Sequence, residues 1–192
     1  HTPGMRFSAG QPKRGVRHTE GIVQLNLRAL EKNILKYRAL QMILLLHEME
    51  SLRAFIIGSI RSTDKTFDAI KGLPKELPEG SKRPLQKALN ILVSKGIISD
   101  EESADIQEIN EIRNTIGHSI HNLVNDIACP DTRLMECKEY DYHALTRLEA
   151  YREKIEKGLQ KSHVMLLSFD GVAFEQAELT YKEELSRLKK KI

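Results

Sequence analysis

From Ile22 to Ile60 apolar side chains return at helical spacing: Leu27, Leu30 and Ile34, then Met42, Leu45, Met49, Leu52 and Ile56, with no proline among them. A period of three to four residues gathers these positions into one stripe and predicts one long helix or two in series. Gly72-Leu73-Pro74 through Pro78-Glu79-Gly80 is dense in helix breakers and predicts a connection rather than a domain boundary, because too little chain precedes it. A second helix is expected to begin near Pro84, with Leu85, Ala88, Leu89 and Leu92 on one face and Gly96 placed to end it in a left-handed conformation.

Ser99-Asp100-Glu101-Glu102 has the spacing of a capping box, in which the serine hydroxyl and the glutamate carboxylate satisfy amides left unpaired at a helix start. The helix it opens carries Ile109, Ile112, Ile116, Ile120, Leu123 and Ile127 at intervals of three or four and is expected to close between Asp126 and Pro130. A fourth helical block is expected over about 140–167, with Leu145, Leu148, Tyr151, Ile155 and Leu159 in register, followed by a turn at Ser168-Phe169-Asp170-Gly171. The last segment places Phe174, Ala177, Tyr181, Leu185, Leu188 and Ile192 on a narrow seam suited to packing on the same bundle or on a partner helix. No stretch alternates as a strand would, and no internal repeat or glycine-rich phosphate loop is present.

Composition agrees with an all-α helical bundle. Aromatic residues make up 5% of the 192 and tryptophan is absent, a balance that favours helices over a sandwich or barrel. The length suffices for one core, so residues 21–192 are expected to form a single helical domain. Residues 1–20 are read as a tag remnant, His1 to Gly4, followed by a flexible basic arm with Arg6, Lys13, Arg14 and Arg17. The formal net charge of +3 is too small to argue for nucleic-acid binding on its own. Cys129 and Cys137 are too few for a disulfide framework and lack zinc-site spacing, which suggests reduced thiols in the cytoplasm. The longest apolar run, Met42 to Leu46, falls far short of the roughly 18 residues that span a bilayer.

The third predicted helix holds the candidate chemistry. At about 100° per residue, its isoleucines occupy one side while Asn114, His118, His121, Asn122 and Asn125 occupy the other. A merely solvated face would favour lysine and glutamate, which are better helix formers than asparagine and histidine. Gly117 costs roughly 1 kcal/mol against alanine in an exposed helix interior, which points either to another backbone or a ligand coming close there or to an accident of the sequence. Arg113 and His118 lie five positions apart and point about 140° from each other. Two copies packed with twofold symmetry around this face would bring both pairs into one cleft, because an isologous interface presents the same patch twice.

The segment from Gly96 to Leu123, with its Glu111-Ile112-Arg113-Asn114-Thr115-Ile116-Gly117-His118 core, resembles the motif of the HEPN ribonuclease superfamily: an arginine, a polar residue, then a histidine after four to six intervening residues. The likeness covers roughly Leu85 to Leu123 and extends only loosely to the first helix. It implies a helical bundle that dimerises so that two motifs face each other and cleave RNA without a metal or other cofactor, leaving a 2′,3′-cyclic phosphate. On that basis Arg113, Asn114 and His118 are the expected catalytic residues and His121 and Asn122 contact the substrate. His118 would exchange protons with the ribose 2′-OH and the leaving oxygen, Arg113 would stabilise charge on phosphate, and Asn114 would orient either. A toxin or phage-defence setting, with an antitoxin or regulatory protein as partner, also follows from the resemblance.

Three other readings stay open on the residues alone. Arg113 could pair with Glu108 or Glu111 and His118 face water, leaving an ordinary helix surface. Many HEPN-like proteins, including mannitol-repressor-like members with a similar Gly-Ile-Ile-Ser turn, serve as non-catalytic dimerisation or regulatory modules. His118 and His121 could form half of a metal site, although no acidic companion shares their face. Elsewhere, His47 and Glu48 are expected to be a buried or boundary pair, and His143 and His163 to lie on the surface.

Overall fold

The computed structural model describes residues 29–72, 74–119, 140–161, 163 and 172–192, and among these the chain forms five helices and no strand. They are α1 (Ala29–Lys71), α2 (Pro84–Ser94), α3 (Asp100–Ser119), α4 (Ala144–Leu159) and α5 (Val172–Lys189). The chain is therefore all-α with a long first helix, as its periodicity predicts. No described helix is long and apolar enough to cross a membrane.

At 43 residues, α1 is about 65 Å long and serves as the spine against which α2, α3, α4 and α5 all pack; α3 also packs against α2 and α4. Its apolar stripe runs through Ile34, Met42, Leu45, Met49, Leu52, Ile56 and Ile60, all buried. The helix is single and runs eleven positions past Ile60, beyond the expected end. That extension has little apolar drive, and side chains instead hold it in place. Thr63 donates its hydroxyl to the Ser59 carbonyl at 2.8 Å, and the buried Asp64 carboxylate accepts the amides of Glu76 at 3.0 Å and Leu77 at 2.8 Å. The breaker-rich connection is thereby tied back to the helix it leaves. Gly72, at φ 62°, ends α1 in the left-handed region, where glycine carries no Cβ penalty.

Helix α2 begins with Pro84 in its first turn, where the missing N–H is no loss. It buries Leu85, Ala88, Leu89 and Leu92. Gly96 closes it at φ 68°, its amide bonded to the Val93 carbonyl at 2.8 Å while the Ile97 amide reaches Leu92 at 2.9 Å, the paired bonds of a Schellman motif. The capping box forms as expected: Glu102 accepts the Ser99 amide at 2.7 Å and the Ser99 hydroxyl accepts the Glu102 amide at 3.2 Å. Helix α3 then buries Ile106, Ile109 and Ile116. Its expected continuation through Ile120, Leu123 and Ile127 to Pro130 lies outside the described residues, as do Cys129 and Cys137 and the basic arm with Arg6, Lys13, Arg14 and Arg17.

Helix α4 occupies only the middle of the expected 140–167 block; Ser168 to Gly171 lie outside the described residues. Asp105 of α3 locks α4 in register, accepting two bonds from Arg147, at 2.9 and 3.1 Å, and one from Tyr151 at 2.6 Å. That carboxylate, together with partial burial, pushes the Tyr151 phenol up to about 12. Gly158 of α4 is required by packing, since a Cβ there would meet the Ile97 Cγ2 at 2.4 Å. The C-terminal helix folds back onto α1, burying Leu185 and Leu188. Its seam is used within the chain.

Candidate functional site

Arg113 and Asn114 lie nearly four turns into α3, which packs on α1, α2 and α4. They are half-buried, whereas His118 and Gly117 are exposed. The Arg113 guanidinium donates from Nη1 to the Asn114 Oδ1 at 3.2 Å and lies 3.7 Å from Glu50 of α1 through Nη2. Its Nε is buried without a hydrogen-bond acceptor among the described residues. The ion-pair partner is thus Glu50, from another helix, and not Glu108 or Glu111: the local pairing foreseen for an ordinary helix surface is replaced by a tertiary one. Among the described residues a Cβ at Gly117 would meet nothing within 4 Å, so none of them comes close to it.

Both Arg113 and Asn114 line an open groove of about 600 Å3. Helix α3 contributes Gln107, Asn110 and Glu111 to the same wall, and Arg53 of α1 faces them. The third side is the start of α2, with Arg83, Pro84, Leu85 and Gln86. Arg83 has φ 51° and no side-chain cap bond, the one positive φ outside glycine among the described residues. Such a conformation costs an L-residue roughly 1–2 kcal/mol. Arg53 pairs with Glu50 at 3.2 Å on the protein surface, so Glu50 is shared by two arginines. Arg83 has no ion pair among the described residues. Three guanidinium groups and four side-chain amides therefore face Glu50 and Glu111, a wall of excess positive charge.

His118 is on the same helix as Arg113 but does not line this groove. Its direction is about that of Asn114 and Glu111, four and seven positions earlier, so it continues their face of α3 one turn beyond the groove's lining, while Arg113 points about 140° away from it. His121 and Asn122, the expected substrate contacts, lie outside the described residues. Sequence reasoning missed Arg53, Arg83 and Glu50. Arg83 carried a faint signal, a basic residue directly before a proline that starts a helix, whereas Arg53 and Glu50 enter the site only through the packing of α1 on α3.

A second polar cleft, of about 360 Å3, lies where α1, α4 and α5 meet. Glu48, 4% exposed, accepts from Arg152 at 2.9 Å and lies 3.8 Å from Lys182. Burial first, and then the adjoining Glu178, push the Glu48 carboxyl above the usual range. Burial also acts to raise Glu178, but hydrogen bonds with Lys182 and Glu48 outweigh it and hold that carboxyl low. Lys182 loses some basicity to burial and regains more from Glu149 and Glu178, so its ammonium is held above the ordinary lysine range. His47 and Glu48 are thus the boundary pair expected from the sequence. His143 is exposed, as expected, but His163 is buried, contrary to expectation. It sits against Lys95, whose ammonium donates to Nε2 at 3.2 Å while also reaching Glu76 at 2.7 Å. No group of histidine, cysteine and acidic residues among the described ones could hold a metal ion.

No family model matches the chain, and neither curated protein sequences nor solved structures give a match.

Proposed function

We propose that this protein is a metal-independent endoribonuclease acting as a homodimer, with Arg113, Asn114 and His118 as its catalytic residues. The reading rests on the HEPN-like motif together with one observation: Arg113 and Asn114, bonded to each other, form part of an arginine- and amide-rich groove while His118 stands exposed on the same helix. An exposed imidazole next to a cationic groove suits proton transfer at a phosphodiester. Twofold pairing of α3 would supply what one chain lacks, setting His118 of one protomer beside Arg113 of the other.

In the proposed reaction, neutral His118 removes the ribose 2′-OH proton and that oxygen bonds to phosphorus. The bond from phosphorus to the 5′-oxygen breaks, and the leaving oxygen takes a proton from His118 of the partner subunit in its imidazolium form. The products are a 2′,3′-cyclic phosphate and a 5′-hydroxyl. Arg113 neutralises charge building on the phosphoryl oxygens, and Asn114 holds the guanidinium in place through its Oδ1. In a toxin or phage-defence setting, a protein antitoxin would act by covering this face.

The test is incubation of the purified protein with labelled RNA in excess EDTA. His118→Ala should cut roughly 10²–10⁴-fold more slowly with its fold and dimerisation intact, since His118 is exposed. Wild-type protein that cuts no faster than the variant ends the nuclease reading. The alternative, a non-catalytic HEPN-like dimerisation or regulatory module, is favoured by His118 lying off the groove, and predicts dimers in sedimentation without cleavage.

A further inference from the structure

Arg53 and Arg83 belong to no motif, yet they line the groove together with Arg113. The three arginines come from three different helices or helix starts, so only the tertiary fold brings them together. Their compensation is incomplete. Glu50 serves both Arg53 and Arg113, and among the described residues Arg83 has no ion pair and the Arg113 Nε is buried without an acceptor. A guanidinium offers a planar fork that matches phosphate oxygens. Among the described residues no aromatic side chain lines the groove, so these walls supply no platform on which bases could stack. Its amides, from Gln86, Gln107, Asn110 and Asn114, can bond phosphate oxygens and 2′-hydroxyls.

We propose that Arg53, Arg83 and Arg113 form a backbone-binding groove that grips phosphates of a single RNA strand, with little regard for base sequence. The identity of the ligand as RNA rests on the nuclease reading above; the cationic groove itself does not. Glu50 acts as a placeholder: it occupies Arg53 and Arg113 in the free protein, and a strand phosphate replaces it as their partner.

The experiment uses the full chain carrying His118→Ala, to prevent turnover, and a short fluorescent single-stranded RNA titrated at several salt concentrations. Arg53→Gln and Arg83→Gln should each weaken binding about tenfold at low salt, as loss of a charge-assisted hydrogen bond does. Each should also lower the slope of log affinity against log salt by about 0.7, the value per phosphate contact on a single strand. Glu50→Gln should tighten binding. Arg187→Gln, an equal charge change at the exposed end of α5, should leave the slope unchanged.

No RNA binding at all, unchanged slopes in both groove variants, or an equal loss with Arg187→Gln would overturn the proposal. Its failure is distinguishable from that of the nuclease reading. RNA bound with the groove-dependent slope by the His118→Ala chain but never cut by protein that keeps His118 leaves the groove and ends the nuclease. Cleavage whose KM is indifferent to Arg53→Gln and Arg83→Gln leaves the nuclease and ends the groove.

Discussion

Glu48 and Glu50 are two positions apart on α1, and a helix therefore turns them about 200° from each other, towards two unlike charged regions. Glu48 faces α4 and α5, where Arg152 meets both Glu48 and Glu156, and Lys182 meets Glu48, Glu149 and Glu178. Each of those cations is matched by carboxylates within the cluster. Glu50 faces α3 and is divided between Arg113 there and Arg53 of its own helix, while Arg83 is left without an ion pair among the described residues. Charge density alone does not separate the two regions. Compensation does: the first cluster joins three helices and its two cations are matched by carboxylates in excess, leaving no cation for an anionic ligand, whereas the second retains guanidinium donors for an incoming anion.

The comparison can be broken most directly at Arg113. Arg113→Ala should slow RNA cleavage by about 10²–10³-fold, the loss seen when one group stabilising transition-state charge is withdrawn. Its urea midpoint should stay near that of the wild type, since the guanidinium is half-exposed and leaves one buried donor unsatisfied. A large loss of stability instead would assign Arg113 to the scaffold.

Glu48→Ala should do the reverse. Arg152 keeps Glu156 and Lys182 keeps Glu149 and Glu178, so the loss is that of the charge-assisted hydrogen bond from Arg152, at a cost of about 2 kcal/mol, which urea denaturation would read. The rate of RNA cleavage per folded molecule should not move. If cleavage falls in proportion to nothing but the substitution, the α1–α4–α5 cluster is part of the site.

Arg83→Gly sharpens the contrast in a single substitution. Glycine relieves the left-handed conformation at φ 51° and should raise stability by about 1 kcal/mol, while RNA affinity falls because a groove arginine is gone. A variant that gains neither stability nor loses affinity would remove Arg83 from both accounts.

The smallest effect concerns His163. Burial, and then the adjacent Lys95 charge, hold its imidazole below the ordinary range, with Glu76 and Asp64 only partly opposing them. Its proton is therefore bound more readily in the unfolded chain than in the folded one. Stability should be unaffected by this group above the ordinary histidine value near about 6.5 and should fall as pH drops below it. His163→Gln should flatten that part of the decline in urea midpoints measured between neutral and mildly acidic pH. A decline identical to that of the wild type would show that other groups, His47 among them, govern this window.

Much of the fold was legible because it is local. The stripe from Ile34 to Ile60, the Gly96 terminus, the Ser99–Glu102 capping box and the seam through Leu185 and Leu188 each follow from spacing within a few residues, and each appears where the pattern put it. The end of α1 was not legible, because the segment after Ile60 is held by Asp64 reaching forward to amides twelve and thirteen positions away. His163 misled for a related reason: an isolated histidine carries no pattern, and its burial depends on Lys95 arriving from the end of α2.

The sequence by itself determined that this chain is helical, many of the residues that face its core, although Leu30 of the expected stripe is exposed, and that Arg113, Asn114 and His118 share one helix outside the isoleucine stripe. Only the tertiary structure decided that Arg113 answers to Glu50, that Arg53 and Arg83 stand beside it, and that Arg38 is buried under two tyrosine rings, at 5.4 and 5.3 Å from their centres. Helical periodicity and capping arise from neighbours along the chain, so they can be read from it. Charge compensation depends on which side chains three packed helices bring within a few ångströms, and no spacing in one helix encodes that distance.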